Sequence, residues 1–329
     1  MFRRAAVKLE CVTPNMGLQK IFLNEYGRLR SGFRFLIFAF AFIFITLAVT
    51  TGIRVAYALL HNVVPRVPYA EFFQSLIGKV PDLSAALIAG YLCNRLLEGL
   101  PWRALGLTLH KQWVRDFLVG SAIGIGSLAI AALIAIVGGG LRFGLNTAHS
   151  PGRIAIALVG SAFLFTFAAL AEEATFRGYP LQTFTRAQLA LLGVLLTSVP
   201  FALGHLWNPN VVPGVTFANT VLAGIWLAVA YLRTRSLWFP LGVHWAWNWA
   251  LGSFFGLPVS GLHLVGATFL KAEDVGPAWL TGGSYGLEGG AAATVAVVLS
   301  IVITWKLPFV SATPEMMKLT SEEKRVGSG

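Results

Sequence analysis

The chain has 329 residues, 56% of them hydrophobic and only 12% charged, with a mean hydropathy of +0.71, a composition that excludes an ordinary soluble globular protein. The net charge of +11 would suit a nucleic-acid binder if it gathered on one soluble face, but the basic residues sit at the ends of apolar stretches, so nucleic acid is not an expected partner. The implied fold class is all-α: a polytopic membrane protein whose first partner is the lipid bilayer.

In chain order, residues 1–33 mix Arg and Lys with Phe2, Leu9, Ile21, Phe22, Leu23 and Leu29. Such a basic segment suits either the surface of an anionic cytoplasmic leaflet or a disordered tail. About eight stretches long enough to span follow, since ~20 apolar residues cover a ~30 Å hydrocarbon core. They lie at about 35–53, 80–98, 116–138, 154–176, 188–206, 213–232, 238–256 and 290–306. The first is preceded by basic residues and is itself long enough to span, so it is expected to stay as an anchor rather than be cleaved.

Between the spans, residues 99–115 are polar and basic with Pro101 and read as a cytoplasmic loop, while 257–290, richer in Gly and carrying Glu273, Asp274 and Glu288, read as the longest outside loop. No internal repeat is visible. The expected division is a basic cytoplasmic segment (1–33), one transmembrane domain (34–307) whose polar motifs fall at 172–248, and a short cytoplasmic tail (308–329). Of the 25 basic residues the outside segments keep only Arg54, Arg66, Lys79, Arg142, Arg153 and Lys271, so both termini are expected in the cytoplasm. Cys11 and Cys93 form no CxxC, and neither a disulfide nor a thiolate metal site is expected.

Glu172 and Glu173 lie inside the fourth apolar stretch, where an ionisable group costs roughly 2.5–3.5 kcal/mol on insertion scales and marks a candidate site. Neighbouring helix positions point about 100° apart, so the two cannot face one cavity. Glu173 precedes Arg177 by four residues, the favourable order for an ion pair, and is expected to brace the helix. Glu173→Gln should therefore affect stability more than chemistry. Glu172 has no local partner and needs one from another helix or from water.

Phe201 and His205 share one face at the end of the fifth stretch, and His244 and Asn248 share one face of the seventh. A carboxylate, two imidazoles and a carboxamide on three apolar helices suffice for a water-activating hydrolytic site. The bland alternative is helix–helix glue. Trp238, Trp245, Trp247 and Trp249 read as an interfacial belt. Pro200, Gly204 and Pro209 around His205 fit either an unwound helix opening onto a cavity or a plain helix end.

At these residues the sequence resembles the type II CAAX prenyl endopeptidase family, also called the CPBP or Abi family of intramembrane proteases. Its motifs EExxxR, FxxxH and HxxxN appear in order as Glu172-Glu173-Ala-Thr-Phe-Arg177, Phe201-Ala-Leu-Gly-His205 and His244-Trp-Ala-Trp-Asn248. The resemblance implies an endopeptidase of a bacterial plasma membrane acting on a peptide or membrane-protein substrate. It further implies that Glu172 acts with His205 to activate water, that His244 and Asn248 stabilise the oxyanion, and that Glu173 and Arg177 brace the site. Nothing in the sequence identifies a prenylated substrate.

No cofactor and no metal are expected, with zinc held by Glu172, His205 and His244 as the alternative. The HExxH helix that would make zinc the default is lacking, and Asn248 is a poor ligand. A proton-coupled transporter or a non-catalytic scaffold would also bury a carboxylate, although paired broken helices in two matching halves are not seen. One tension stands: simple alternation puts Glu172 near the inside end of its span and His205 near the outside end of the next. For them to meet, the fourth helix must run on past Arg177 or residues 178–187 must dip into the membrane.

Overall fold

The computed structural model describes residues 21–60 and 76–321. Most of the basic N-terminal segment, residues 1–20, and the last eight residues of the tail lie outside the described residues. The helices in chain order are α1 (Ser31–Leu60), α2 (Val80–Leu97), α3 (Trp113–Val137), α4 (Pro151–Phe176), α5 (Tyr179–Arg186), α6 (Ala190–Gly204), α7 (Val215–Thr234), α8 (Trp238–Trp249), α9 (Ala291–Lys306) and α10 (Pro314–Thr320). Each of the eight apolar stretches forms a helix. Among the described residues, α1, α2 with its preceding turn, α3, α4 continued through α5, α6 with its following turn, and α7 are long and apolar enough to cross a membrane, and α9 is a shorter apolar helix. The chain is thus an integral membrane protein, and α1 turns Phe40, Phe44 and Leu47 outward where lipid would meet them.

The main core joins α3, α7, α8 and α9 through Leu128, Trp226, Val243, Trp247, Ala292 and Ala296. Glycines let α3 and α8 touch backbone to backbone. A Cβ on Gly242 would lie 2.2 Å from the Phe117 carbonyl oxygen, and one on Gly120 would lie 2.3 Å from that of Phe239. Without a strong hydrophobic drive between helices in lipid, such close approach is a main source of packing energy. It also fixes the height of α8, and so of His244. Gly242→Ala is expected to cost about 1–3 kcal/mol by overpacking. Thermal unfolding in detergent checks this, and an unchanged midpoint would mean that the two helices separate freely.

Three features differ from the sequence expectation. The first is a two-stranded antiparallel sheet in an otherwise helical molecule, β1 (Leu141–Leu145) with β2 (Leu270–Asp274), paired from Leu141↔Asp274 to Leu145↔Leu270. It ties the segment before α4 to the long 257–290 connection, which had read as a plain loop.

The second is α5. For Glu172 and His205 to meet, the fourth helix had to run on or residues 178–187 had to dip into the membrane; residues 179–186 form a helix, and although they hold Gln182, Thr183, Thr185 and Arg186, all eight are buried. Their polar groups find partners: Gln182 Nε2 donates to the Leu105 carbonyl at 2.9 Å, Thr183 Oγ1 to Glu98 Oε1 at 2.7 Å, and Arg186 Nε to Glu98 Oε2 at 2.5 Å. Arg34 of α1 adds a second ion pair to Glu98 at 3.4 Å. A satisfied polar helix can be buried where an unsatisfied one cannot. The apolar candidate span that begins with α4 thus runs on through α5, from Pro151 to Arg186, past Glu172.

The third concerns Trp238, Trp245, Trp247 and Trp249, whose indole N–H groups each reach a protein acceptor. Trp245 and Trp249 stack at 5.8 Å and donate to the Ala162 and Leu158 carbonyls of α4, each at 3.0 Å. Trp238 donates to the Thr108 carbonyl and Trp247 to Glu288. An indole N–H in an apolar setting needs an acceptor, and here the need pins α8 against α4.

Candidate active site

Glu172 and Glu173 are near the end of α4, one helical step apart, and the step separates them as geometry requires. Glu173 is fully buried and Glu172 lines a cavity, its side chain 21% exposed. Arg177 Nη1 donates to Glu173 Oε1 at 3.1 Å, the ion pair that the four-residue spacing predicts. Arg177 Nη2 donates to the Gly224 carbonyl of α7 at 3.0 Å, so the brace also joins two helices.

Glu173 has a second partner that spacing could not reveal. His244 Nδ1 lies 2.8 Å from the same Oε1 atom. On the other side of the ring, His244 Nε2 lies 3.7 Å from Glu172 Oε2. The imidazole therefore stands between two adjacent carboxylates. An ionised Glu173 can only accept, so Nδ1 carries the hydrogen, and an N–H at Nε2 as well requires the imidazolium.

α6 contains Pro200 and ends at Gly204, and His205 opens a 3₁₀ turn, His205–Trp207. Its Nδ1 lies 2.8 Å from the Phe201 carbonyl, which can only accept. In the neutral ring the hydrogen is thus on Nδ1 and Nε2 keeps its lone pair. Phe201 is the packing hub of the site. Its ring centroid lies 4.6 Å from that of His205, 6.2 Å from His244 and 5.4 Å from Phe176, with the Arg177 guanidinium 4.7 Å above it.

Glu172, His205, His244 and Asn248 all line one cavity of about 530 Å³, with Leu164, Phe165, Val259 and Leu264 among its apolar walls. Glu172 and His205 thus line the same cavity, and the separation that simple alternation suggested is not seen. Among the described residues, no group of three or more His, Cys, Asp and Glu side chains is gathered as a metal site would need.

Residues 154–250 match the family model described as Type II CAAX prenyl endopeptidase Rce1-like. Over this segment the chain is similar to that family. This is the family that the three motifs resemble, and the matched segment runs from the start of α4 through the end of α8, enclosing all three motifs. No curated protein matches the chain. The family of that model is one of intramembrane CAAX proteases, and the apolar helices make the chain an integral membrane protein.

Lys79, which the sequence showed only as an outside charge, and Asp82, which it did not single out, also line the cavity. Both belong to the start of α2, outside the Rce1-like segment. Lys79 Nζ lies 3.1 Å from Glu172 Oε1. The only local sign was a lysine followed by Val-Pro-Asp at the mouth of an apolar stretch, which reads equally well as the end of a loop.

Proposed function

We propose that the protein hydrolyses peptide bonds of membrane-associated substrates, with Glu172 as the base that activates water. The observation that carries this proposal is the shared cavity, in which Glu172, His205, His244 and Asn248 meet from α4, the end of α6 and α8. Glu172 takes a proton from water as the water oxygen attacks the carbonyl carbon, and the lone pair of His205 Nε2 accepts the second water hydrogen and aims the nucleophile. The imidazolium Nε2–H of His244 and the Asn248 amide donate to the developing oxyanion, in a water-poor site where such donors count most. Collapse of the tetrahedral intermediate expels the amine, which leaves with the proton held by Glu172. No covalent intermediate forms.

The reaction as proposed needs no metal or other cofactor. The transmembrane domain spans residues 34–307, with both termini in the cytoplasm and the protein in a bacterial plasma membrane. Apolar walls around a polar centre suit a peptide segment held at the bilayer, and nothing in the lining requires a prenyl group.

The test is cleavage of a lipid-anchored fluorogenic peptide by the purified protein in liposomes. His205→Ala is expected to lower turnover by about 10²-fold, the scale of a lost proton-handling group. Wild-type turnover in that variant would remove His205 from the mechanism. Activity is also expected to survive a zinc chelator, whereas loss on chelation with recovery on added zinc would overturn the metal-free chemistry.

A further inference from the structure

Glu172 sits in apolar surroundings with a fixed cation at its side, and that cation comes from a part of the chain that none of the three motifs reaches. Lys79 is 93 residues upstream and is the residue from which α2 starts. Pro81 lies in the first turn of that helix, where its fixed φ suits a helix start and sets the direction in which the chain leaves Lys79. Lys79 Nζ bonds Oε1 of Glu172, and Oε2 is the oxygen turned toward His244 Nε2. One carboxylate oxygen is thus tethered and the other is presented.

We propose that Lys79 is a positioning residue of the hydrolytic site: its ammonium holds Glu172 in the rotamer that directs Oε2 into the cavity beside His244. The proposal rests on Glu172 being the base, and it adds α2 to the elements that build the site. A carboxylate on a helix has several rotamers open to it, and a base must be held close to one geometry to reach its water. Inside α4 the neighbouring Glu173 has Arg177 for this purpose, whereas Glu172 has no cation of its own helix within bonding range.

Asp82, one turn along α2, also lines the cavity, so the groups facing Glu172 are Lys79 and Asp82 from α2, His205 from the end of α6, and His244 from α8. Of these, among the described residues, Lys79 alone hydrogen-bonds Glu172 directly. The ion pair is half-open, with side chains 36% and 21% exposed.

The experiment compares Lys79→Met, Lys79→Gln and Lys79→Arg with the wild type in liposomes, measuring kcat and KM for the lipid-anchored peptide and the unfolding midpoint in detergent. Loss of the tether is expected to lower kcat by about 10- to 100-fold in Lys79→Met and Lys79→Gln, with KM changed far less, because binding does not depend on the Glu172 rotamer. Lys79→Arg keeps the cation and is expected to recover most of kcat. Either neutral variant retaining wild-type kcat would overturn the proposal. So would an arginine variant as defective as the neutral ones, or a fall in activity that only follows the fraction unfolded. Should Lys79→Met fail to fold, the Lys79→Gln and Lys79→Arg pair carries the same comparison. Glu172→Gln, run in parallel, separates the two ideas: near-normal turnover there sinks Glu172 as the base, whereas an inert Glu172→Gln beside a fully active Lys79→Met sinks the tether alone.

Discussion

Glu172→Gln is expected to lower peptide cleavage by about 10³-fold or more while leaving the protein folded. Gln keeps the size of the side chain and an oxygen that can still accept from Lys79, so the cavity retains its shape. What it cannot do is take a proton from water. The loss should appear in kcat, since the remaining cavity wall is intact and substrate contacts are unchanged. The neutral side chain leaves Lys79 without this counter-ion, with Lys79 itself 36% exposed and the Asp82 carboxylate in the same helical turn. Kinetics on the reconstituted, correctly folded variant decide the matter. Turnover close to wild type would end the case for Glu172 as the base and favour a site that binds a membrane partner without cutting it.

How much of this arrangement could be read from the sequence depended on whether the determining interaction was local. Apolar runs produced the helices, since a span in lipid must satisfy its backbone within itself. The Glu173–Arg177 pair was legible because both partners lie on one helix, four residues apart. The helix end at His205 could likewise be expected from Pro200 and Gly204.

Interactions between helices were not legible. α5 carries Arg186, Gln182 and two threonines, a composition that marks a solvated turn unless one knows that Glu98 and the Leu105 carbonyl wait for them. Simple alternation of spans put Glu172 near the inside end of its helix, and only the packing of residues 179–186 shows how that helix is extended. Lys79 was counted as an outside charge for the same reason: its partner is 93 residues away. The link from Glu173 to His244 joins two motifs whose separate spacings give no hint of it. Spacing showed which residues share a helix face, and packing decided which faces meet.

That link makes Glu173→Gln a more telling variant than a simple brace would be. Its Oε1 accepts from both Arg177 and His244, so one atom joins the buried ion pair to the imidazole beside Glu172. A neutral amide leaves the fully buried Arg177 guanidinium without a counter-charge, and breaking such a pair from one side costs about 3–5 kcal/mol. It also removes the carboxylate that fixes Nδ1–H of His244 and stabilises the imidazolium needed for donation from Nε2. Both consequences are expected together: a lower unfolding midpoint and, in the protein that remains folded, a fall in kcat of about 10²-fold or more. The two are separated by assaying well below the unfolding midpoint and normalising to folded protein. A folded fraction with wild-type kcat would reduce Glu173 to the brace that spacing alone suggests. A surviving deficit would make the second glutamate part of the oxyanion machinery, acting through His244 without touching the substrate.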